Sequence, residues 1–213
     1  MNTNNLIQGA ATLEVSLDTQ QAELLLSYAA LLEKWNKAFN LISRRDIGRL
    51  YSRHILDSLA GVPLLRGSHV MDLGSGAGLP GIPLAVAKPQ MSFYLCDRSH
   101  RRCRFLKQVV RTLPLQQVGV WVGDYGKDEF EQDMPTGFDT IVTRGVATAL
   151  EVWAMVQSNL ASGGRLLIYE STRLDIDAEI EEIPKQDGVD ITRHKYTVPG
   201  LAQTHSILCM ERS

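Results

Sequence analysis

Val70-Met71-Asp72-Leu73-Gly74-Ser75-Gly76-Ala77-Gly78-Leu79-Pro80-Gly81 decides the fold. A short apolar run ends in an acidic residue, passes into Gly-x-Gly-x-Gly, and then opens a helix. Glycines let the backbone turn sharply and approach a ligand without Cβ obstruction. The helix start that follows leaves free N–H groups facing whatever binds there. A tight strand-to-helix turn without a ligand would use the same residues, so the neighbouring elements have to decide.

Downstream of this turn, strand and helix patterns alternate. Strands are expected at 69–73, 92–97, 118–122, 138–143 and 165–169, with helices at 81–87, 99–112 and 147–160. Short apolar strands joined by helices imply a parallel sheet covered on both faces. Residues 174–183 read as a last helix, and 189–198 and 205–211 as a terminal antiparallel hairpin. Upstream, apolar residues recur at helical spacing over 18–39 (Ala22, Leu25, Ala29, Leu32, Trp35), with Asp18 as N-cap and Gln21 completing a capping box. A second helix is expected at 46–60, capped by Asp46. The division is an N-terminal helical extension, 1–65, and a core, 66–213, forming one compact unit.

The second strand ends at Asp97, 19 residues beyond Gly78. In a doubly wound sheet a carboxylate there reaches ribose hydroxyls, although it could also cap the next helix, as could Ser99. Dinucleotide binders show G-x-G-x-x-G, whose helix amides hold a pyrophosphate. Here the spacing is G-x-G-x-G, and Asp72 would repel pyrophosphate but suits the amino-acid end of S-adenosylmethionine. With 213 residues, no second domain remains for a hydride acceptor. The reading is an α/β, Rossmann-like, S-adenosylmethionine-dependent methyltransferase fold: a mostly parallel seven-stranded sheet with the terminal hairpin.

Methyl acceptors differ in the help they need. Transfer to an exocyclic amine commonly uses an Asn/Asp-Pro-Pro-aromatic turn after the fourth strand, where this chain has Thr143-Arg144-Gly145-Val146. Attack through C5 of a pyrimidine needs a cysteine nucleophile. Cys96, Cys103 and Cys209 fall in a strand, a helix and the hairpin, which suits core packing. Guanine N7 carries a free lone pair and no proton, so it needs alignment and a closed site but no general base. The three cysteines also lack the spacing of a disulfide framework or a zinc site. No apolar run is long enough to span a bilayer and the N-terminus lacks the order of a secretory signal, so a soluble, cytoplasmic protein is expected.

Net charge is −2, which by itself argues against a nucleic-acid binder. Divided along the chain, residues 1–32 carry −3, residues 33–111 carry 14 basic and 5 acidic groups for +9, and residues 112–213 carry −8. Local potential, not the total, attracts phosphate. The run Arg98, Arg101, Arg102, Arg104, Lys107 and Arg111 lies on the second crossover helix, where it is either a solvated face or a phosphate contact.

Four stretches together resemble the bacterial RsmG (GidB) family: Trp35-Asn36-Lys37-Ala38-Phe39-Asn40-Leu41, Arg53-His54-Ile55-Leu56-Asp57-Ser58, Asp72 to Leu84, and Arg102-x-Arg104-Phe105-Leu106. The resemblance implies N7 methylation of a guanine in 16S ribosomal RNA, with the free RNA or the small ribosomal subunit as partner, no metal, and a monomer. It implies that Gly74, Gly76, Gly78 and Leu79 line the cofactor, with Asp72 at its amino-acid end and Asp97 at its ribose. Asp124 and Tyr125 would follow at the adenine, and Arg144 would stand beside the transferred methyl as the catalytic residue. Trp35, Asn36, Asn40, Arg53, His54 and Asp57 form either an RNA surface or a scaffold under the cofactor loop. For Trp35 and Ile55 core packing competes, for Asn36 and Asn40 loop and cap hydrogen bonding, and for His54 a structural hydrogen-bonding role against a general base.

The chain departs from the family at Gly123-Asp124-Tyr125-Gly126, Glu170-Ser171 and Thr204-His205, where basic residues are usual. Losing a phosphate-facing cation removes a counterion-release contribution. Glu170→Lys is therefore expected to raise RNA binding at low salt. The alternative is a divergent member that binds the cofactor but has another acceptor, or a non-catalytic binding role.

Overall fold

The computed structural model describes residues 2–123, 135–170 and 188–212. Asp124, Tyr125, Ser171 and the helix expected at 174–183 lie outside the described residues. The chain opens with α1 (Thr3–Ala11), which the sequence reading left unassigned, its N-terminus capped by the Asn2 side chain. α2 (Thr19–Phe39) has the expected capping box, since Gln21 N–H donates to Asp18 Oδ1 at 2.7 Å and Gln21 Oε1 accepts from Asp18 N–H at 2.9 Å. It ends at Asn40, whose φ of +46° places it in the left-handed region that Asn tolerates better than most residues.

The helix expected at 46–60 is a different object. Residues Arg44–Arg49 form a 3-10 helix with Ser43, not Asp46, as its cap. Tyr51–Leu56 is a π-helix, followed by the single turn α3 (Asp57–Leu59). Asp46 instead pairs with Arg49 at 3.1 Å and Arg53 at 3.2 Å. A short 3-10 turn (Val62–Leu64) leads into the sheet.

The remaining order is β1 (His69–Leu73), α4 (Gly81–Ala87), β2 (Ser92–Asp97), α5 (His100–Thr112), β3 (Val118–Val122), β4 (Phe138–Arg144), α6 (Ala149–Val156), β5 (Leu160–Tyr169), β6 (Val189–Thr197) and β7 (Thr204–Arg212). The described strands form a seven-stranded sheet in the order β3-β2-β1-β4-β5-β7-β6. Pairing is parallel from β3 through β5, and antiparallel for β5–β7 and β7–β6. α6 is shorter than the helix expected at 147–160, because Gln157–Asn159 tightens into a 3-10 turn and β5 begins at Leu160.

Strand order reverses between β1 and β4. In open parallel sheets a crevice opens at that point, beyond the carboxyl ends of the strands. Both faces of the sheet are covered. One core cluster joins α1, α2, the π-helix, α4 and α5 to the sheet through Leu6, Leu25, Ile55, Ile82, Phe105 and Val142. The other lies under α6, with Met71, Ile141, Trp153 and Leu166. The N-terminal helices thus share an apolar core with the sheet that carries the glycine turn. Tyr169 ties the two by donating its hydroxyl to Ser58 O, and a Cβ at Gly61 would stand 2.1 Å from that hydroxyl, so Gly61 is required there.

Candidate functional site

The glycine turn between β1 and α4 has positive φ at Gly74, Gly76 and Gly78. At Gly74 a Cβ would also come within 2.3 Å of Val146 Cγ2, and at Gly78 within 2.6 Å of Ile82 Cγ1. Glycine alone meets both demands. Ser75, which the sequence reading passed over, pins the turn to β2. Its N–H donates to Cys96 O at 2.9 Å, its hydroxyl donates to Asp72 O at 2.8 Å, and it accepts from Cys96 N–H at 3.0 Å. From the other side α2 reaches in, the buried Tyr28 hydroxyl donating to Ala77 O at 2.7 Å. Tyr28, which the sequence reading did not single out, thus ties α2 to the glycine turn.

A cavity of about 490 Å³ opens over this turn at the carboxyl ends of β1, β2 and β4. Of the residues that the sequence assigned to the cofactor, Gly74, Gly76, Leu79, Asp97 and Arg144 line it together. Gly78 packs beneath against Ile82 and Leu106. Asp72 is fully buried and does not line the cavity; its Oδ2 accepts from Gly81 N–H at 2.9 Å, and Oδ1 has no partner among the described residues. Burial raises the Asp72 carboxyl to about 7, against the lowering effect of the Gly81 bond.

Asp97 Oδ2 accepts from Gly76 N–H at 2.9 Å and Oδ1 from Ser99 N–H at 2.8 Å, with Arg102 Nη1 at 3.4 Å. Ser99, not Asp97, is the N-cap of α5. A carboxylate offers about four lone-pair directions, so acceptor capacity remains toward the cavity. The open turn, the acid at the end of β2 and an apolar wall from Leu41, Ile42, Leu73, Val146 and Met155 fit a ligand with a charged end, a ribose and a flat apolar ring.

Asn36 Oδ1 accepts from Ile42 N–H at 2.8 Å, which holds the Leu41–Ile42 wall in place. Trp35 packs its ring on Phe39 and Phe105, at 5.2 and 5.6 Å between centroids. His54 enters the cavity from the π-helix, and neither ring nitrogen has a hydrogen-bond partner among the described residues. This corrects the structural hydrogen-bonding role. Burial first, and then the Arg144 charge, lower His54 to about 4, so it is neutral at pH 7.

Arg144 is anchored by Asp57, its Nη1 donating to Asp57 Oδ2 at 2.9 Å. Asp57 Oδ1 also accepts from the Tyr196 hydroxyl at 2.9 Å and lies 3.0 Å from His205 Nδ1. Burial alone would raise Asp57, but the His205 bond, the Arg144 charge and the Tyr196 bond outweigh it and hold its carboxyl below the usual value. This convergence was illegible in sequence, because the four residues lie on four separate elements.

Cys96 borders the cavity but is 1% exposed, and burial raises its thiol well above the ordinary value. Burial likewise raises Cys103 and Cys209 to about 11, so no thiolate nucleophile is prepared at any of the three. Among the described residues no cluster of His, Cys, Asp or Glu could hold a metal, and no helix is long and apolar enough to cross a membrane.

Glu170, at the end of β5, does not line the cavity. Its Oε1 accepts from Arg193 at 3.1 Å, its Oε2 accepts from the Ser206 hydroxyl, and its side chain is 7% exposed.

The sequence model of the family described as rRNA small subunit methyltransferase G matches residues 21–205. A ribosomal RNA small subunit methyltransferase G of Stutzerimonas stutzeri is 37% identical over 216 residues, covering 100% of this chain and 96% of its own length. One of Laribacter hongkongensis is 36% identical over 198 residues, covering 87% and 92%. Among solved structures, a methyltransferase from Geobacter sulfurreducens superposes with a TM-score of 0.60 at 16% identity, over 88% of this chain and 89% of that one. A SAM-dependent methyltransferase from Aquifex aeolicus gives 0.57 at 17% identity, over 85% and 97%. At those identities the structural likeness establishes the fold.

Proposed function

The chain belongs to the rRNA small subunit methyltransferase G family, and from that premise we propose that it transfers a methyl group from S-adenosylmethionine to N7 of a guanine in 16S ribosomal RNA. The observation that carries the reading is one cavity, at the strand-order switch, shared by the glycine turn, Asp97 and Arg144.

S-adenosylmethionine, when bound, supplies an electrophilic sulfonium methyl. In this reading Gly74, Gly76 and Leu79 form its cradle, Asp97 accepts from the ribose hydroxyls, and Asp72 stiffens the turn from below near the amino-acid end. Asp124 and Tyr125 are assigned to the adenine. The helical extension of 1–65 and the core of 66–213 act as one unit, the former supplying Leu41, Ile42 and His54 to the wall.

Guanine N7 attacks with its own lone pair, so no residue has to remove a proton. The chain contributes alignment of the base with the methyl, which is catalysis by proximity and orientation. His54, lowered to about 4, is a weak base, which agrees with a step that calls on none. Arg144 has donors left beyond its bond to Asp57, and an arginine fork matches the O6 and N7 edge of guanine. It is assigned to holding O6 so that N7 points at the methyl. The non-catalytic alternative is not favoured, and Glu170, one of the departures behind it, is engaged by the hairpin away from the cavity.

The test is tritiated methyl transfer to 30S subunits that lack the modification, with cofactor affinity measured by calorimetry. One methyl per subunit is expected, and Asp97→Ala is expected to weaken cofactor binding by ~1–3 kcal/mol. Cofactor binding without methyl incorporation would reject the assignment.

A further inference from the structure

Asp57 is the buried centre of a cluster that no single stretch of sequence contains. It sits where the π-helix passes into α3, with its side chain 8% exposed. One oxygen accepts from Arg144 at the end of β4, and the other from Tyr196 on β6 and His205 on β7. Tyr196 and His205 are register partners across the terminal hairpin, their rings 5.8 Å apart. We propose that Tyr196 and His205 are positioning residues for Arg144: acting through Asp57, the terminal hairpin fixes the guanidinium that faces the substrate base.

The physical argument concerns the freedom of a carboxylate. The last torsion of an aspartate is broad and roughly two-fold, so a carboxylate held at one oxygen can swing, and its partner swings with it. Here both oxygens are occupied from different directions, and any rotation of Asp57 breaks a bond at one of them. The site is buried, so a broken bond is not replaced by water without cost. The orientation of Arg144 is therefore set by side chains on two strands that do not touch the substrate. Productive methyl transfer depends on placement within a fraction of an ångström, which makes small reorientations visible in rate. The proposal rests on the role given to Arg144 above.

Tyr196→Phe removes one hydroxyl and keeps the ring. Its kcat for 30S methylation is expected to fall roughly fivefold to tenfold, with the KM for S-adenosylmethionine and the thermal midpoint close to wild type. In an Arg144→Ala background the same substitution is expected to change the residual single-turnover rate no further. His205→Ala should slow turnover similarly, and His205→Asn, whose amide N–H can stand in for Nδ1–H, should recover most of the loss. Unchanged kcat in Tyr196→Phe overturns the proposal, as does an equal loss with and without Arg144. A lower thermal midpoint with unchanged kcat per folded molecule also overturns it, leaving the cluster a structural tether. If the Arg144→Ala rate is below detection, the His205→Asn recovery decides. Wild-type turnover in Arg144→Ala would instead reject the role given to Arg144 itself.

Discussion

At the scale of single residues, the acid that opens the glycine motif is the most consequential placement. Asp72 precedes a strand end whose next residue, Leu73, borders the cavity, and alternation along a strand turns neighbouring side chains to opposite faces. Its carboxyl therefore lies under the turn, bonded to Gly81 N–H, and burial lifts it to about 7 from 3.8. A carboxyl raised on folding contributes stability that is fully present below about pH 4 and is lost as pH rises through about 7. The scale is on the order of 1.4 kcal/mol for each tenfold change in acidity. Asp72→Asn keeps an oxygen for Gly81 and removes the ionisation. Its thermal midpoint without cofactor should gain on wild type from about pH 4 up to about pH 7 and level off above that. A constant offset across that range would mean that Asp72 is not held neutral by burial. The motif itself was legible, because glycine spacing after an apolar strand has few uses. The direction of the Asp72 side chain was not, since pleat phase depends on which residue pairs across the sheet.

Elements explain what periodicity missed. The stretch 46–60 has apolar residues at helical spacing, yet the structure winds Tyr51–Leu56 as a π-helix. The wider turn lets His54 enter the cavity while Asp57 comes to lie under Arg144. Such segments concentrate at functional sites, where tertiary demands override local preference. The boundaries of β1, β2 and β3 were readable to the residue because short apolar runs bounded by turn residues leave little latitude. The hairpin shows the opposite limit. Glu170 looked like a lost RNA contact, but Arg193 of β6 and Ser206 of β7 engage it, an exchange of charge within the sheet. Glu170→Lys would place a second cation against Arg193. Breaking a well-buried pair typically costs ~3–5 kcal/mol, and with Arg193 partly exposed about 1–3 kcal/mol of unfolding free energy is expected to be lost. This replaces the gain in RNA binding that sequence alone suggested. Adding Arg193→Glu should recover much of the loss in a denaturant titration. An undiminished midpoint for Glu170→Lys would show that the pair contributes nothing to the hairpin.

For the whole molecule, a net charge of −2 conceals how the charges face the cavity. The segment that supplies Leu41 and Ile42 to the wall continues into the exposed Arg44, Arg45 and Arg49. Arg98 and Arg102 themselves border the cavity, and Arg101, next to Arg102 in sequence, is exposed. Exposed arginines thus adjoin two of the segments that line the cavity, both drawn from the +9 stretch. Contacts of this kind go to phosphates, so they add affinity without choosing sequence, and each one released makes binding less dependent on salt. Arg102 also pairs with Asp97, which makes it a poor probe, whereas among the described residues neither Arg98 nor Arg101 pairs with that acid. Arg98→Ala combined with Arg101→Ala should flatten the slope of log affinity for 16S ribosomal RNA against log salt by roughly 1–2, at ~0.7–0.9 for each phosphate contact. The affinities are compared with cofactor saturating, because Arg98 also borders the cavity. Arg111 provides the control, being as exposed as Arg101 but nine residues past Arg102 on α5, about 13 Å farther along the helix axis. Arg111→Ala should leave the slope as it was. If Arg111→Ala flattens it as much per charge as the pair does, attraction by the overall field is sufficient. The arginines at the cavity mouth would then not be the contacts that orient the RNA over Arg144.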